Sequence, residues 1–478
     1  MNYRMIKKIL GWLLLFDGAF MLIPLVTGLV CREKDCVWFL PAIGLCIVLG
    51  FIMTFFMKPK SKQLYAKEGY VIVALSWIVM SLFGALPLWL SHTIPSYVDA
   101  LFETVSGFTT TGATILSDVE HLPQCMLMWR SFTHWVGGMG VLVFVMAFIP
   151  LGSGSSMHIM KAESTGPSVS KLLPGVKTTA LALYSIYFVM TAAQFVLLLF
   201  GGMTVLEALN TAFATAGTGG FGFLNDSMAS MSSYNRWVIT AFMLLFSISF
   251  SSYYLFLKKR FKAAFTMEIK VFAVIVILSI AVITYNIRYI YPDLRDAVEQ
   301  SSFTVASVIS TTGFSTSDFD VWPELSKTIL VGLMFVGATA GSTGGGMKVS
   351  RFVILIKGMR KELETMVHPN QVKKVTVDGT QVPHEVVRSV NVYVVCFVLV
   401  YAISMLIISF DGHEFETNFT AVAATINNIG PGLHEVGPSG NFSFFSVPSK
   451  LVLIFDMIAG RLELYPMLLL FSPATWKK

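Results

Sequence analysis

Charge is scarce in this chain. Asp, Glu, Lys and Arg supply 13% of its 478 residues, against about 25% in an ordinary soluble domain. So little charge excludes a large hydrated surface. Cysteine is also sparse: five residues cannot make a disulfide framework. Cys31 and Cys36, in "CREKDC", can pair only if that loop faces an oxidising side; otherwise they are ordinary small residues. The eight histidines show no metal-ligand spacing, and no Ser-His-Asp or Cys-His set converges. No enzyme activity, organic cofactor or nucleic-acid partner is expected. "GTGGFG" (217–222) matches a dinucleotide fingerprint in letters only, because its neighbours are not a strand–helix pair. "GSTGGGMK" fails the phosphate-loop pattern because methionine separates the last glycine from lysine.

Long apolar runs are abundant. Hydrophobic residues make up 55% of the chain. Runs such as "VWFLPAIGLCIVLGFIMTFF" meet the roughly 20 residues needed to cross a bilayer. The start, "MNYRMIKKILGWLLLF", is basic and then apolar with no clear cleavage site, and reads as a retained first helix. Ten spans are expected, near 9–30, 37–57, 70–91, 127–150, 179–201, 236–257, 269–290, 325–357, 389–410 and 449–471. Lysine and arginine crowd into alternate loops, including "KPKSKQLYAK", "KKRFK" and "KGMRKELETMVHPNQVKK". The positive-inside rule then puts both termini in the cytoplasm. The opposite loops carry an acidic excess, which either concentrates cations at a membrane entrance or only keeps exposed loops soluble.

Four outer segments are too apolar for ordinary loops and too short to span: "VDALFETVSGFTTTGAT", "LEALNTAFATAGTGGFG", "AVEQSSFTVASVISTTGFST" and "FETNFTAVAATINNIGPGL". Each begins near an acid (Asp99, Glu207, Glu299 or Glu416), suited to the positive end of a short helix. Each reaches a glycine 12 to 14 residues later, at Gly112, Gly219, Gly313 or Gly430, suited to a turn back outward. The expected fold is an all-α polytopic membrane protein. Four repeats of span, re-entrant helix and span would surround one pore, behind two extra N-terminal helices. The boundaries are 1–60 for the extra helices, then 61–160, 161–262, 263–365 and 366–478 for the repeats.

Such an arrangement suits a cation. The C-terminus of a short helix carries about half a negative charge, and four such ends would point at one place. The loops that follow offer backbone carbonyls that can replace a hydration shell. "SGFTTTGAT", "TTGFST", "NNIGPG", "THWVGGMGVLV", "AGSTGGGMKVSR" and "GRLELYPMLLLFSP" resemble signatures of the TrkH/KtrB/HKT superfamily of potassium transporters, most like its TrkH branch. The resemblance implies potassium-coordinating carbonyls at Thr110, Thr111 and Gly112; at Gly217, Thr218 and Gly219; at Thr311, Thr312 and Gly313; and at Asn428, Ile429 and Gly430. In relatives, serine in place of the first glycine goes with sodium permeation; glycine in all four loops favours potassium here.

The resemblance also implies an intramembrane gating loop in the eighth span, at Gly341, Gly344, Gly345 and Gly346, followed by Lys348. A bland kink between packed helices is the alternative. Arg461, deep in the last span, is expected either to act as an electrostatic barrier or to pair with Asp456 or Glu463. Further implications are a homodimer and a cytosolic TrkA-like nucleotide-binding regulatory subunit. The basic cytoplasmic segments also suit anionic membrane lipid. A small-solute carrier or an intramembrane enzyme is the competing class. A carrier needs inverted repeats, and these repeats share one orientation.

Overall fold

The computed structural model describes residues 1–57, 64–140, 159, 163, 175–371 and 373–477. The basic stretch at 58–63, residues 141–150 of the expected span 127–150 and His158 lie outside the described residues.

Among the described residues, the regular secondary structure is helical apart from a two-stranded hairpin, Thr376–Val377 with Thr380–Gln381, and an isolated bridge between Val336 and Met347. Among the described residues, six helical segments are long and apolar enough to cross a membrane: Tyr3–Val30, Asp35–Phe56, Ala66–Leu90, Lys177–Phe200, Met267–Ile287 and His384–Asp411. A seventh candidate is the pair Ser233–Phe246 and Phe250–Leu257, bent by 90°. The remaining expected spans are shorter or broken. Gln124–Gly138 ends just before the undescribed segment. Glu324–Phe335 and Val349–Val367 are separated by the glycine-rich stretch, where Gly341 and Gly346 have positive φ. Val447–Arg461 and Tyr465–Phe471 are separated where Glu463 and Leu464 take left-handed φ of 57° and 66°. Positive-φ residues cannot continue a right-handed helix, so these last two breaks have a local cause.

Lipid-facing and protein-facing surfaces separate clearly. Val30, Phe200, Ile277, Leu406 and Phe410 are exposed on the outer helices, as expected where lipid is the solvent. Between helices, small residues allow close approach. A Cβ on Gly11 would lie 2.9 Å from the Gly50 carbonyl, and one on Gly50 would lie 2.8 Å from that of Gly11. These reciprocal contacts let the first two spans pack backbone to backbone. All five cysteines are free thiols. Cys36 donates to the Glu33 carbonyl at 3.0 Å rather than bonding to Cys31.

Four short helices fill the interior: Tyr97–Phe108, Val205–Gly217, Leu294–Ile309 and Phe415–Ile426. At 1.5 Å per residue they reach only about 18–24 Å, short of the roughly 30 Å hydrocarbon layer. Asp99, Glu207 and Glu416 sit in the first turns of theirs. Thr204 and Glu207 form a reciprocal cap: the Thr204 N–H donates to Glu207 at 2.9 Å, and the Glu207 N–H donates to Thr204 Oγ1 at 3.4 Å. The third helix differs from expectation. It starts earlier, and Asp296 is its first-turn acid. Glu299 is buried within it, where it pairs with Arg236 at 2.5 Å.

Candidate functional site

The short helices end in one shared way. Thr110, Thr218, Thr311 and Asn428 all lie in the left-handed region, with φ of 55°, 54°, 60° and 55°. The next N–H in each case reaches back five residues: Thr111 to Ser106, Gly219 to Ala214, Thr312 to Ser307 and Ile429 to Ala424, all at 2.9 Å. The left-handed residue itself donates three residues back, at 2.9–3.2 Å. This is the Schellman termination, usually built on glycine. Here it is built on three β-branched threonines and an asparagine. A left-handed non-glycine residue costs on the order of 1–3 kcal/mol, and such strain concentrates at functional places.

Glycine follows two positions after each left-handed residue, at Gly112, Gly220, Gly313 and Gly430, with φ of 80°, 78°, 85° and 101°. The second loop therefore runs one residue later than its spacing suggested. Thr218, Gly219 and Gly220 occupy the places of Thr110, Thr111 and Gly112, and Gly217 is the last helical residue. A run of glycines in "GTGGFG" hides this register in the letters. Only the φ pattern resolves it.

The loops touch in a closed cycle. A Cβ on Gly112 would lie 2.0 Å from the Gly219 carbonyl oxygen, and one on Gly220 would lie 2.0 Å from that of Thr312. One on Gly313 would lie 2.1 Å from the Ile429 oxygen, and one on Gly430 would lie 2.8 Å from the Thr111 oxygen. Each glycine thus packs against the middle carbonyl of the next loop, and the fourth loop returns to the first. Side chains of any size are excluded there. A cavity of about 130 Å³ opens above the cycle, lined by Gly112, Gly220, Gly313 and Gly430 together. At its rim, Asn225 donates to Asp118 at 3.0 Å. That bond, followed by His121, holds the Asp118 carboxyl below its usual range.

Buried side chains hold the cycle. Asn428 Nδ2 donates to Thr111 Oγ1 at 2.9 Å and to the Met457 carbonyl at 2.8 Å, joining the fourth loop to the first. Hydroxyl pairs brace two loops: Thr109 with Thr111 at 2.8 Å, and Ser310 with Thr312 at 2.6 Å. His134 is fully buried; its Nδ1 lies 2.7 Å from the Gly107 carbonyl, and Nε2 accepts from the Phe221 N–H at 3.3 Å. These partners fix a neutral tautomer with the proton on Nδ1. Glu103 and Arg130 form a buried ion pair at 2.8 Å. Glu103 also accepts from Thr114 Oγ1 and the Ile115 N–H, and Arg130 stacks 4.1 Å from the Phe221 ring. Sequence reasoning missed this pair. The signal was there: two opposite charges in apolar surroundings.

Beneath the cycle lies the 336–348 stretch. Its residues touch the ends of the short helices: a Cβ on Gly344 would lie 3.0 Å from the Ser310 carbonyl, and one on Gly345 would lie 2.6 Å from that of Asn427. The Gly345 N–H donates to Thr311 Oγ1 at 2.6 Å, a direct link to the third loop. Lys348 is buried and donates back to the Gly344 and Gly345 carbonyls. Glu268 latches the stretch from outside, accepting from the Ala340 N–H at 2.8 Å and the Ser350 N–H at 2.9 Å through one oxygen.

The structure gives Arg461 partners other than the two acids weighed from sequence. Its guanidinium donates to the carbonyls of Thr343 at 2.7 Å, Gly137 at 2.7 Å and Gly138 at 2.6 Å. It therefore ties the glycine-rich stretch to the C-terminal end of Gln124–Gly138, where a cation suits the helix dipole. Glu463 pairs instead with Arg351, and Asp456 accepts from Ser404 at 2.7 Å.

Among the described residues, no group of three His, Cys, Asp or Glu is placed to hold a metal. The oxygen available at the cycle is backbone carbonyl. Apolar spans, short interior helices and a carbonyl-rich centre define a helical membrane protein of the cation-transport class. The family model described as "TrkH: Cation transport protein" matches residues 39–478, and the chain belongs to this family. It is 34% identical over its whole length to the Trk system potassium uptake protein TrkH of Vibrio parahaemolyticus, and 33% identical to that of Escherichia coli, with each relative also covered in full. The TrkI protein of Halomonas elongata is 31% identical, with 99% of this chain and 97% of TrkI aligned. The crystal structure of the potassium transporter TrkH from Vibrio parahaemolyticus superposes with a TM-score of 0.90 at 32% identity, covering both chains in full.

Proposed function

We propose that this chain takes up potassium across the bacterial cytoplasmic membrane through a channel-like pore. Two leading helices precede four repeats that surround it. The four-loop cycle is its selectivity filter, and the observation that carries this reading is the closed contact between each glycine and the next loop's carbonyl. In the filter, the Thr111, Gly219, Thr312 and Ile429 carbonyls form one ring of ligands. Their neighbours Thr110, Gly112, Thr218, Gly220, Thr311, Gly313, Asn428 and Gly430 form the adjoining rings. Four short-helix C-termini add a negative potential beneath the filter. An inward-negative membrane potential then drives uptake, worth about 2.3 kcal/mol per charge per 100 mV.

Residues 336–348 form the gate under the filter. Lys348 and Arg461 place positive charge there and hold the gate closed through carbonyl contacts. Opening must release Thr343 from Arg461, and the Ala340 and Ser350 N–H groups from Glu268. A cytosolic nucleotide-binding subunit of the TrkA kind, acting on a homodimer with inward-facing termini, supplies that force. Rubidium and sodium flux in proteoliposomes tests the proposal. The unmodified chain should pass rubidium well and sodium poorly, and Gly112→Ser should lose the distinction. Equal rubidium and sodium flux in the unmodified chain would refute the filter.

A further inference from the structure

A second cavity, of about 460 Å³, lies far from the four-loop cycle, between Val349–Val367, the small hairpin and the start of His384–Ile408. It is preformed. Lys357 donates to the Thr376 carbonyl at 2.7 Å, docking the hairpin on the long helix. Asp378 at the hairpin tip accepts from the Met267 N–H at 2.7 Å. Its size suits a small-molecule ligand.

The lining has two characters. Lys361, Lys373, Lys374 and Arg388 face one acid, Glu362. Lys373 is engaged by Glu364, and Lys361 lies 3.4 Å from Glu362. Lys374 and Arg388 have no carboxylate partner among the described residues. The rest of the wall is apolar, with Leu355, Met359, Val375, Val382 and Val387. Arg388 and His384 lie in the first turns of the apolar span His384–Asp411. The cavity therefore sits at the depth where a span leaves the bilayer.

We propose that this cavity binds a phosphate-bearing anion, with an anionic phospholipid headgroup as its occupant. Lys374 and Arg388 hold the phosphate. The apolar wall receives the glycerol and the upper acyl carbons. Free inorganic phosphate has no use for that wall, and a zwitterionic lipid brings its own cation against the two basic residues. The site stands apart from the four-loop cycle and does not depend on the transport reading.

Native mass spectrometry of the full-length protein in detergent tests it, with phosphatidylglycerol, phosphatidylcholine and inorganic phosphate as separate probes. Phosphatidylglycerol should bind in preference to phosphatidylcholine. The double variant Lys374→Gln, Arg388→Gln should weaken that binding roughly 10- to 30-fold, the worth of two basic residues at a membrane surface. Both residues are exposed, so the fold should survive, and Lys374→Arg, Arg388→Lys should retain most of the affinity. Equal binding of the two lipids, or phosphatidylglycerol binding unchanged in the Gln variant, would overturn the site. Inorganic phosphate competing fully at equal concentration would overturn the lipid as occupant.

Discussion

Replacing Gly220 by alanine probes both the register of the second loop and the filter reading. The residue has φ of +78°, and an added Cβ would sit 2.0 Å from the Thr312 carbonyl oxygen. An ordinary carbon–oxygen contact needs more than 3 Å, so that carbonyl must move by about 1 Å or the loop must change conformation. The left-handed backbone alone costs a residue with a side chain roughly 1–2 kcal/mol. If that strain is released by distorting the carbonyl ring, cation affinity falls by a factor of about 5–30. The assay is rubidium uptake into proteoliposomes with sodium as competitor. Gly220→Ala should lower the rubidium-to-sodium preference by that factor, matching Gly112→Ala. Wild-type preference in Gly220→Ala, alongside its loss in Gly112→Ala, would refute the cyclic equivalence of the two glycines.

Other expectations follow from the buried contacts. Glu268→Leu removes the acceptor shared by the Ala340 and Ser350 N–H groups and should raise basal rubidium leak in protein reconstituted without a regulatory subunit. Unchanged leak would mean the latch does not hold the gate. Arg461→Gln should raise leak and lower the thermal unfolding midpoint in detergent, since each hydrogen bond from a charged donor is worth about 1.5–3 kcal/mol. Arg461→Lys should restore little of either, because an ammonium lacks the planar fork that reaches separated carbonyls. Arg130→Met should destabilise by roughly 3–5 kcal/mol by stranding buried Glu103. Adding Glu103→Leu should recover much of that loss in a denaturation series.

Much of the architecture could be read from the letters. The acid-to-glycine rhythm located four short helices because both ends of a helix have chemical preferences: acids at the positive end, and glycine just beyond the last turn. It failed in two instructive places. The spacing marks Glu299 as a helix start, but the helix begins at Leu294 and Glu299 pairs with Arg236. The second loop sits one residue later than its letters suggest, because consecutive glycines give no side-chain landmark. Contacts between distant segments were not legible. Nothing near Glu268 announces that it fastens Ala340 and Ser350. The run around Arg461 offers two nearby acids, whereas its partners are backbone carbonyls more than a hundred residues away. A side chain that binds main chain leaves no complementary letter to find.

The most direct test is a rubidium-soaked crystal measured at the rubidium absorption edge. An anomalous peak should lie on the axis of the four loops, at similar distances from the carbonyl oxygens of Thr111, Gly219, Thr312 and Ile429. A well-ordered structure with no peak there, or with rubidium bound only elsewhere, would contradict the account.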